Sequence, residues 1–424
     1  MSHQVAVTIV ADVRSGEAEH VDRLLRSMGN GLANGSVVDL AALPNVHFAR
    51  FVLLEETRDL RDQALPALLI YMSDVDVPRD RHLADLVETA GGGLDQLYAH
   101  CEGYPRQGSR NQETRLAYLR AHVVKEQARY FNTTGRNARQ VRQEAELHDR
   151  IEELVDGRPE NRDRDPRSVR EAVQELVAHD DSLRWARRPP PGLPFAFRAK
   201  EALHLATGVL LVIVLSPLLL LIAPFFLLLL RLHERSDRAP HVPAALERVE
   251  ELAELEDLAA QNPFTAVGFV KPGLFRRVTI QTIFVALNFA ARHLFNHGNL
   301  AGVKTIHSAR WVALNGWRRV LFASNYDGSR ESYMDDFVDK IAWGLNAAFG
   351  SGHGFPNTSW LLFDGANDEQ AFKDFLRRHL VATRVWHTGY ERLTNANIEN
   401  NARIRTGLQG HAEADEARRW VQAL

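Results

Sequence analysis

The spacing of hydrophobic positions predicts strands and helices through the first third of the chain. Alternating stretches indicate half-buried strands, because successive side chains on a strand point to opposite faces, whereas a period near 3.6 indicates helices. The predicted elements are strand 4–13, helix 15–29, strand 47–56, strand 67–74, helix 79–98, helix 112–123, strand 128–135 and a helix that ends at about 156.

The last third of the chain shows the same kind of pattern. Its first two strands are joined by a tight turn at Asn315-Gly316, a pair of residues typical of hairpins. The predicted elements are strand 305–314, strand 318–325, helix 331–348, strand 359–365, helix 367–381 and strand 383–390. Both ends of the chain therefore belong to the α+β class.

An apolar block without any charged residue occupies 205–230. A helix of this length can cross a bilayer core of about 30 Å. Pro217 and Pro224 would kink the helix, and basic residues on both sides favour the cytoplasmic face for both flanks. These features predict a re-entrant or monotopic hairpin, with a single kinked crossing as the alternative. The flanking basic residues are Arg184, Arg187, Arg188, Arg198, Lys200, Arg231, Arg235 and Arg238.

The segments beside the block are predicted as connections. Residues 157–200 are charged and end in a proline-rich run, which indicates a linker. Residues 233–299 are predicted as a helical connector that contains a polar-faced helix at 245–261. Within the connector, 278–295 is expected to be an interfacial helix, a helix packed on the hairpin, or a buried soluble helix.

The two ends of the chain match each other in sequence. His47-Phe-Ala-Arg50 corresponds to His307-Ser-Ala-Arg310, and Ser73-Asp-Val-Asp76 corresponds to Ser324-Asn-Tyr-Asp327. Further matches follow in the same order, namely Gly93-Leu94 with Gly344-Leu345, Gly103-Tyr-Pro105 with Gly354-Phe-Pro356, and Leu119-Arg120 with Leu376-Arg377. The ordered series predicts an internal duplication with modules at 1–156 and 300–424, separated by the membrane segment 201–232. Paired modules must share one side of a membrane, which also favours the hairpin.

Composition narrows the setting of the protein. The net charge of −3 offers no general attraction for nucleic acid. Cys101 is the only cysteine, so an intrachain disulfide and a cysteine-rich metal site are excluded. The first residues read as a strand and a helix and lack the features of a signal peptide. We therefore expect the cytoplasmic face of a membrane.

Two histidine–arginine segments are the best candidates for chemistry. Strand alternation places His307 and Trp311 on one face and Arg310 on the other, and it separates His47 from Arg50 in the same way. Histidines in this setting could line a ligand cavity, ligate haem or move a proton. The alternative is that both histidines are hydrogen-bonded structural residues.

Other titratable residues leave several alternatives open. Asp327 could act as a general acid or base, or could cap the helix that follows it. His293 and His297 could share a metal ion, although no third ligand is identifiable. The sequence lacks the GxSxG, HExxH, Walker and dinucleotide-binding motifs, which argues against a hydrolase, a zinc protease or a nucleotide enzyme.

The duplicated plan resembles the dimeric α+β barrel superfamily, and distantly the DyP-type peroxidases. The segment Ser324-Asn-Tyr-Asp327-Gly328 is similar to the GxxDG motif of those peroxidases, with serine in place of the first glycine. The resemblance implies two ferredoxin-like modules that pair into one barrel-like core, with haem as the cofactor. The superfamily also contains cofactor-free monooxygenases and plain binding proteins, so the fold does not decide the function.

Two functions are therefore expected as alternatives. The first is a membrane-associated, peroxidase-like oxidoreductase for a lipophilic substrate, with His307, Arg310 and Asp327 as catalytic residues and His307, His47 and Arg50 as haem-binding residues. The second is a non-catalytic, membrane-anchored protein that binds a lipid, a hydrophobic metabolite or another protein. Exposed sheet edges predict a homo-oligomer under either alternative.

Overall fold

The computed structural model describes residues 4–31, 38–157, 165–190, 192–237, 242–254, 260–295, 298–410 and 413–424. Within these ranges the chain forms helices and antiparallel sheets, which confirms the mixed class predicted from the sequence. Arg238 and His297, which the sequence analysis singled out, lie outside the described residues.

The first part of the chain contains six strands and four helices among the described residues. They are β1 (Val5–Asp12), α1 (Ala18–Gly31), β2 (Val46–Leu54), β3 (Thr57–Arg58), β4 (Ala64–Leu65), β5 (Leu68–Val75), α2 (Arg79–Tyr98), α3 (Gln112–Ala121), β6 (Ala128–Phe131) and α4 (Ala138–Asp156). Three more helices follow, namely α5 (Pro166–His179), α6 (Phe195–Ser236) and α7 (Leu246–Glu254).

The described residues of the second part repeat this kind of order. Its elements are β7 (Gln261–Phe269), α8 (Leu274–His293), β8 (Ile306–Leu314), β9 (Arg319–Asp327), α9 (Arg330–Phe349), β10 (Thr358–Ser359), β11 (Phe363–Asp364), α10 (Glu369–His379), β12 (Val385–Thr388), α11 (Asn395–Gly407) and α12 (Ala414–Val421).

Two four-stranded antiparallel sheets form the centre of the molecule. The first sheet has the order β1-β5-β2-β12, and the second has the order β6-β8-β9-β7. β12 therefore joins the sheet built by the amino-terminal strands, whereas β6 joins the sheet built by the later strands. Each sheet depends on a strand from the other part of the chain.

Side chains on the inner faces of the sheets pack against each other. Val52 and Ile70 from the first sheet form one buried cluster with Val312 and Leu321 from the second. The outer face of the first sheet is covered mainly by α1 and α2. The outer face of the second sheet is covered by α8, α9 and α10. A separate cluster joins α4, α5, α11 and α12.

Two segments predicted as connections are ordered parts of the fold. Residues 261–269, predicted as connector, form strand β7 beside β9. Pro263 and Gly268 interrupt the alternation by which a strand is recognised in the sequence. The strand forms nevertheless, because an edge strand tolerates a proline that cannot donate a hydrogen bond to a neighbour. The predicted linker 157–200 contains α5, whose Val173 and Val177 pack into the cluster with α4.

The segment 359–365 is a turn instead of the predicted strand. Trp360 and Leu361 have φ angles of 55° and 63°, in the left-handed region that interrupts a strand. The flanking residues form the two-residue strands β10 and β11, which pair only with each other. Leu362 and Phe363 in this segment are exposed.

The strand register shifts at both candidate histidines. β2 pairs with β5 at Val46 and Phe48 and skips His47, and β8 pairs with β9 at Ile306 and Ser308 and skips His307. Both histidines are thus the extra residues of β-bulges, which interrupt the alternation of side chains. His47 consequently contacts Tyr390, against which Phe48 also packs.

Helix α6 is one continuous helix, so the predicted hairpin is wrong. Pro217 cannot donate to the carbonyl of Ile213, but the Ser216 hydroxyl donates to that carbonyl at 2.7 Å. The helix can therefore continue through the proline. Among the described residues, α6 is the one helix long and apolar enough to span a membrane by length and composition, and its apolar section is exposed.

Candidate functional site

Each candidate histidine is buried in a pair with an aspartate. His47 Nε2 lies 2.8 Å from Asp76 Oδ1, and His307 Nε2 lies 2.6 Å from Asp327 Oδ1. The ring of Tyr390 contacts both imidazole rings and brings the two pairs into one neighbourhood. The structure thus places His47, His307 and Asp327 close together, but in the protein interior.

The second oxygen of each aspartate holds the start of a helix. Asp76 Oδ2 accepts a hydrogen bond from the backbone amide of Ala138 at 2.6 Å, at the start of α4. Asp327 Oδ2 accepts one from the amide of Asn395 at 2.8 Å, at the start of α11. Asp327 does not cap the helix that follows it, because Ser329 caps α9. Both carboxylates therefore have a structural role.

Arg50 and Arg310 point into the space between the sheets. Arg50 donates to the carbonyl oxygens of Phe264 and Ser324, at 2.8 and 2.7 Å, and to the side chain of Asn325. Arg310 donates in the same way to carbonyl oxygens of the first sheet. Burial, followed by the charge of Arg310, lowers the pKa of Arg50 to about 9.

Arg310 carries the one charged contact of this arrangement. It donates to the carbonyl oxygens of Val7 and Ser73, at 2.9 and 3.0 Å, and it forms an ion pair with Asp74. The other oxygen of Asp74 accepts a hydrogen bond from the Ser308 hydroxyl at 2.6 Å. Both arginines thus use their hydrogen-bond donors to join the two sheets.

The surroundings of these residues do not fit haem. The cavity beside Arg50 and Arg310 measures about 10 Å³, which is the space of roughly one water molecule. The Nε2 atom of His307 contacts Asp327, and the side chain of His307 is 1% exposed. His307 Nδ1 is buried without a hydrogen-bond partner in the described part of the chain. Haem ligation at His307 would require the sheets to separate.

The described residues also offer no metal centre. No group of three or more histidine, cysteine, aspartate or glutamate side chains among them is placed to hold a metal ion. His293 instead pairs with His204 of α6, with its Nε2 atom 2.7 Å from the other ring's Nδ1 atom.

An apolar cavity of about 320 Å³ lies on the outer face of the second sheet. This volume lies at the lower end of ligand pockets, which measure about 300–1,000 Å³. The cavity exists where α8 and α9 present small residues towards the sheet. These small residues are Ala286 and Ala290 of α8 and Gly344, Ala347 and Ala348 of α9, and Ala301 from the segment before β8 also lines the cavity. The larger lining residues include Phe264, Leu287, Trp311, Phe322, Met334, Phe337, Ile341 and Leu376.

Few polar atoms line this cavity. The hydroxyl of Tyr333 is engaged by Ser324 Oγ at 2.6 Å, and burial raises the pKa of this tyrosine. Trp311 is 5% exposed, and its Nε1 atom has no hydrogen-bond partner in the described part of the chain. The cavity can therefore take an uncharged, mainly apolar molecule, and the indole of Trp311 beside it carries a buried donor without an acceptor in the described part of the chain.

The rim of the cavity carries exposed apolar side chains. Trp343 of α9 is 52% exposed, and Leu362 in the turn between β10 and β11 is 42% exposed. The turn is held by α6, because Glu234 accepts hydrogen bonds from the amides of Trp360 and Leu361 at 2.9 and 2.7 Å. The long apolar helix is thus connected to the rim of the cavity.

The sequence predicted the histidines, the arginines and Asp327 as site residues, but it did not predict the apolar cavity. The alternation in β8 correctly placed Trp311 and Arg310 on opposite faces, since Trp311 lines the cavity and Arg310 reaches the other sheet. The small residues of α8 and α9 were not singled out. The spacing of these residues along each helix does not by itself predict a cavity, because the cavity forms only where the two helices pack side by side.

Comparison of the chain with protein-family models, curated proteins and solved structures found no match. The function must accordingly be argued from the geometry of the site.

Proposed function

We propose that this protein binds a lipophilic ligand in the apolar cavity of its second sheet and that it does so at a membrane. The observation that carries the proposal is the cavity itself, whose volume of about 320 Å³ is lined by apolar and aromatic side chains. A well-packed protein interior leaves few voids larger than a water molecule. A space of this size and composition is what an apolar ligand requires.

The matched contacts around the two sheets support an internal duplication. The contacts of His47 with Asp76 and of Asp76 with the start of α4 have counterparts in His307, Asp327 and the start of α11. Bulges occur at both histidines. We infer that two ferredoxin-like modules pair as in the dimeric α+β barrel superfamily. Such folds serve binding proteins as well as enzymes.

The association with a membrane rests on α6. Its apolar side chains are exposed over many turns, and soluble proteins rarely expose apolar patches beyond a few hundred Å². Basic residues at both ends of the helix favour the cytoplasmic face. Oxidoreductase activity, haem binding and a homo-oligomer stay predictions, and the buried histidine–aspartate pairs, whose carboxylates hold the starts of two helices, give no support to a catalytic role.

A cavity-filling substitution tests the proposal. Gly344 lines the cavity, and a Cβ atom added there would meet nothing closer than the Cβ of Ile341 at 3.9 Å. We expect Gly344→Leu to weaken binding of a fluorescent ester of palmitic acid by about tenfold or more, since overpacking costs about 1–3 kcal/mol. Affinity is measured by fluorescence titration of the detergent-purified, full-length protein.

Gly92→Leu provides the matched control. Gly92 lies in α2, on the other sheet, and an added Cβ would have open space. Both substitutions replace a helical glycine with leucine, so both gain a similar helix propensity of up to about 1 kcal/mol. Equal affinities for the two variants and the unaltered protein would refute the cavity as the binding site.

A further inference from the structure

We infer that α6 lies lengthwise in the plane of a lipid bilayer and does not cross it. The proposed partner is the outer acyl-chain layer of the bilayer, with its headgroups at the two ends of the helix. The inference depends on the contacts of α6 and is independent of whether the cavity binds a ligand.

The two ends of α6 are attached to opposite ends of α8. Near the start of α6, Glu201 forms an ion pair with Arg292, close to the end of α8. Directly after α6, Asp237 forms ion pairs with Arg276, near the start of α8, at 2.5 Å, and with Lys271 at 2.8 Å. The two helices therefore run antiparallel, side by side.

Contacts between these ends show that the helices stay together. Gly208 lies so close to α8 that a Cβ atom there would overlap the ring of Phe289. Farther along, the rings of Phe226 and Phe275 have centroids 5.4 Å apart. α8 is itself part of the core of the second sheet, where Ile280 and Phe284 are buried. The body of the protein thus lies along one side of α6.

A membrane crossing conflicts with this attachment. The 42 residues of α6 extend about 63 Å at about 1.5 Å per residue, roughly twice the thickness of the bilayer core. A crossing would place Glu201 and Asp237 on opposite sides of the membrane. Their partners both lie in α8, which is packed on a sheet, so a crossing would have to break at least one attachment.

The exposed side of α6 matches a bilayer. Leu210, Leu221 and Leu228 are 61%, 68% and 60% exposed and lie on one face of the helix by their spacing. Charged residues are absent from 205–230, and exposed Arg198, Lys200 and Arg235 lie beyond the two ends of this stretch. The apolar side chains of α6 match the acyl chains of a bilayer, and the basic residues at its two ends match anionic headgroups. This surface therefore favours lipid over a second copy of the chain.

Depth measurements on the full-length protein test the inference. The protein is bound to vesicles of phosphatidylcholine and phosphatidylglycerol, with Cys101→Ser as the background because Cys101 is the only cysteine and is buried. A fluorophore is attached at Leu210→Cys, Leu221→Cys or Leu228→Cys and is quenched by lipids with nitroxides at known depths. We expect equal, shallow depths at all three positions. A label at Leu221 that is much deeper than the other two would overturn the inference.

Labelling of the flanks gives a second, independent readout. Arg198→Cys and Arg235→Cys are treated with a membrane-impermeant maleimide before and after the vesicles are dissolved. We expect equal labelling of both positions before dissolution. Labelling of only one position would establish a crossing and overturn the inference. Protein that fails to float with the vesicles, or that buries α6 against a second copy, would overturn it as well. Neither readout uses the ligand of the cavity, so failure here leaves the proposed binding of a ligand in the cavity standing.

Discussion

At the residue scale, Trp311 determines whether a ligand with a hydrogen-bond acceptor is favoured over a pure hydrocarbon. Its ring lines an otherwise apolar space, and its Nε1 atom is a buried donor without a partner in the described part of the chain. A buried donor left without an acceptor costs about 1–3 kcal/mol. A ligand that brings one carbonyl or ester oxygen would remove this cost, whereas a pure hydrocarbon would not.

We therefore expect Trp311→Phe to reduce the affinity for a fatty-acid methyl ester by about threefold to tenfold, as loss of one hydrogen bond predicts. Affinity for an alkane of equal length should change by less than about twofold. Both affinities are measured by competition with a fluorescent ester of palmitic acid. Trp343→Phe, at the exposed rim, serves as the control and should affect both ligands alike. A similar loss for ester and alkane in Trp311→Phe would contradict the assignment of the donor.

Among the elements, the buried carboxylate of Glu234 and the guanidinium of Arg231 join α6 to the turn between β10 and β11. Glu234 is buried, and it accepts hydrogen bonds from the amides of Trp360 and Leu361 and from the Thr358 hydroxyl at 3.0 Å. Left-handed backbone at a non-glycine residue costs about 1–2 kcal/mol. The hydrogen bonds to Glu234 offset this cost and hold the turn at the rim of the cavity.

Glu234→Gln should release this turn, because an amide group accepts weaker hydrogen bonds than a carboxylate and brings its own donors. We expect faster hydrogen exchange across 358–364, by about tenfold, and faster release of the fluorescent ligand. Glu146→Gln, at an exposed position of α4, is the matched control and should change neither rate. Unchanged exchange in the Glu234 variant would show that the turn is held by other contacts.

Elements with one clear period could be predicted from the sequence, whereas those set by distant contacts could not. Helix 79–98 has the predicted bounds, and the turn at Asn315-Gly316 has positive φ angles at both residues, as such a turn requires. The turn at Trp360 depends on Glu234, far away in the sequence. Likewise, α6 continues through Pro217, where the Ser216 hydroxyl donates to the carbonyl that the proline leaves free, a local bond that a proline count does not reveal.

At the scale of the whole molecule, the two sheets are joined by hydrogen bonds from two buried arginines. The sequence suggested Arg310 as a catalytic residue and Arg50 as a haem-binding residue, and both follow a histidine at the same spacing. Their actual partners are carbonyl groups and side chains of the opposite sheet. Sequence spacing could not reveal this role, since it arises only when strands far apart in the chain face each other.

The two arginines differ in one respect that predicts unequal contributions to stability. Arg50 meets Asn325, which is neutral, whereas Arg310 meets Asp74, which is charged and 1% exposed. Removing one partner of a buried ion pair costs about 3–5 kcal/mol, because the other charge is left in the interior. Removing a donor from neutral acceptors costs about 1–3 kcal/mol.

We therefore expect Arg310→Met to lower the free energy of unfolding by about 2 kcal/mol more than Arg50→Met, as measured by urea unfolding of the detergent-purified protein. Adding Asp74→Asn to Arg310→Met should recover part of the loss, since it removes the uncompensated charge while leaving a group that Ser308 can still contact. Adding Asp74→Asn to Arg50→Met should instead destabilise further, because Arg310 then loses its anion. The prediction would be contradicted if both single variants lost the same free energy of unfolding and the first double variant recovered none of it. The ion pair between Arg310 and Asp74 would then contribute no more to stability than the neutral contacts of Arg50.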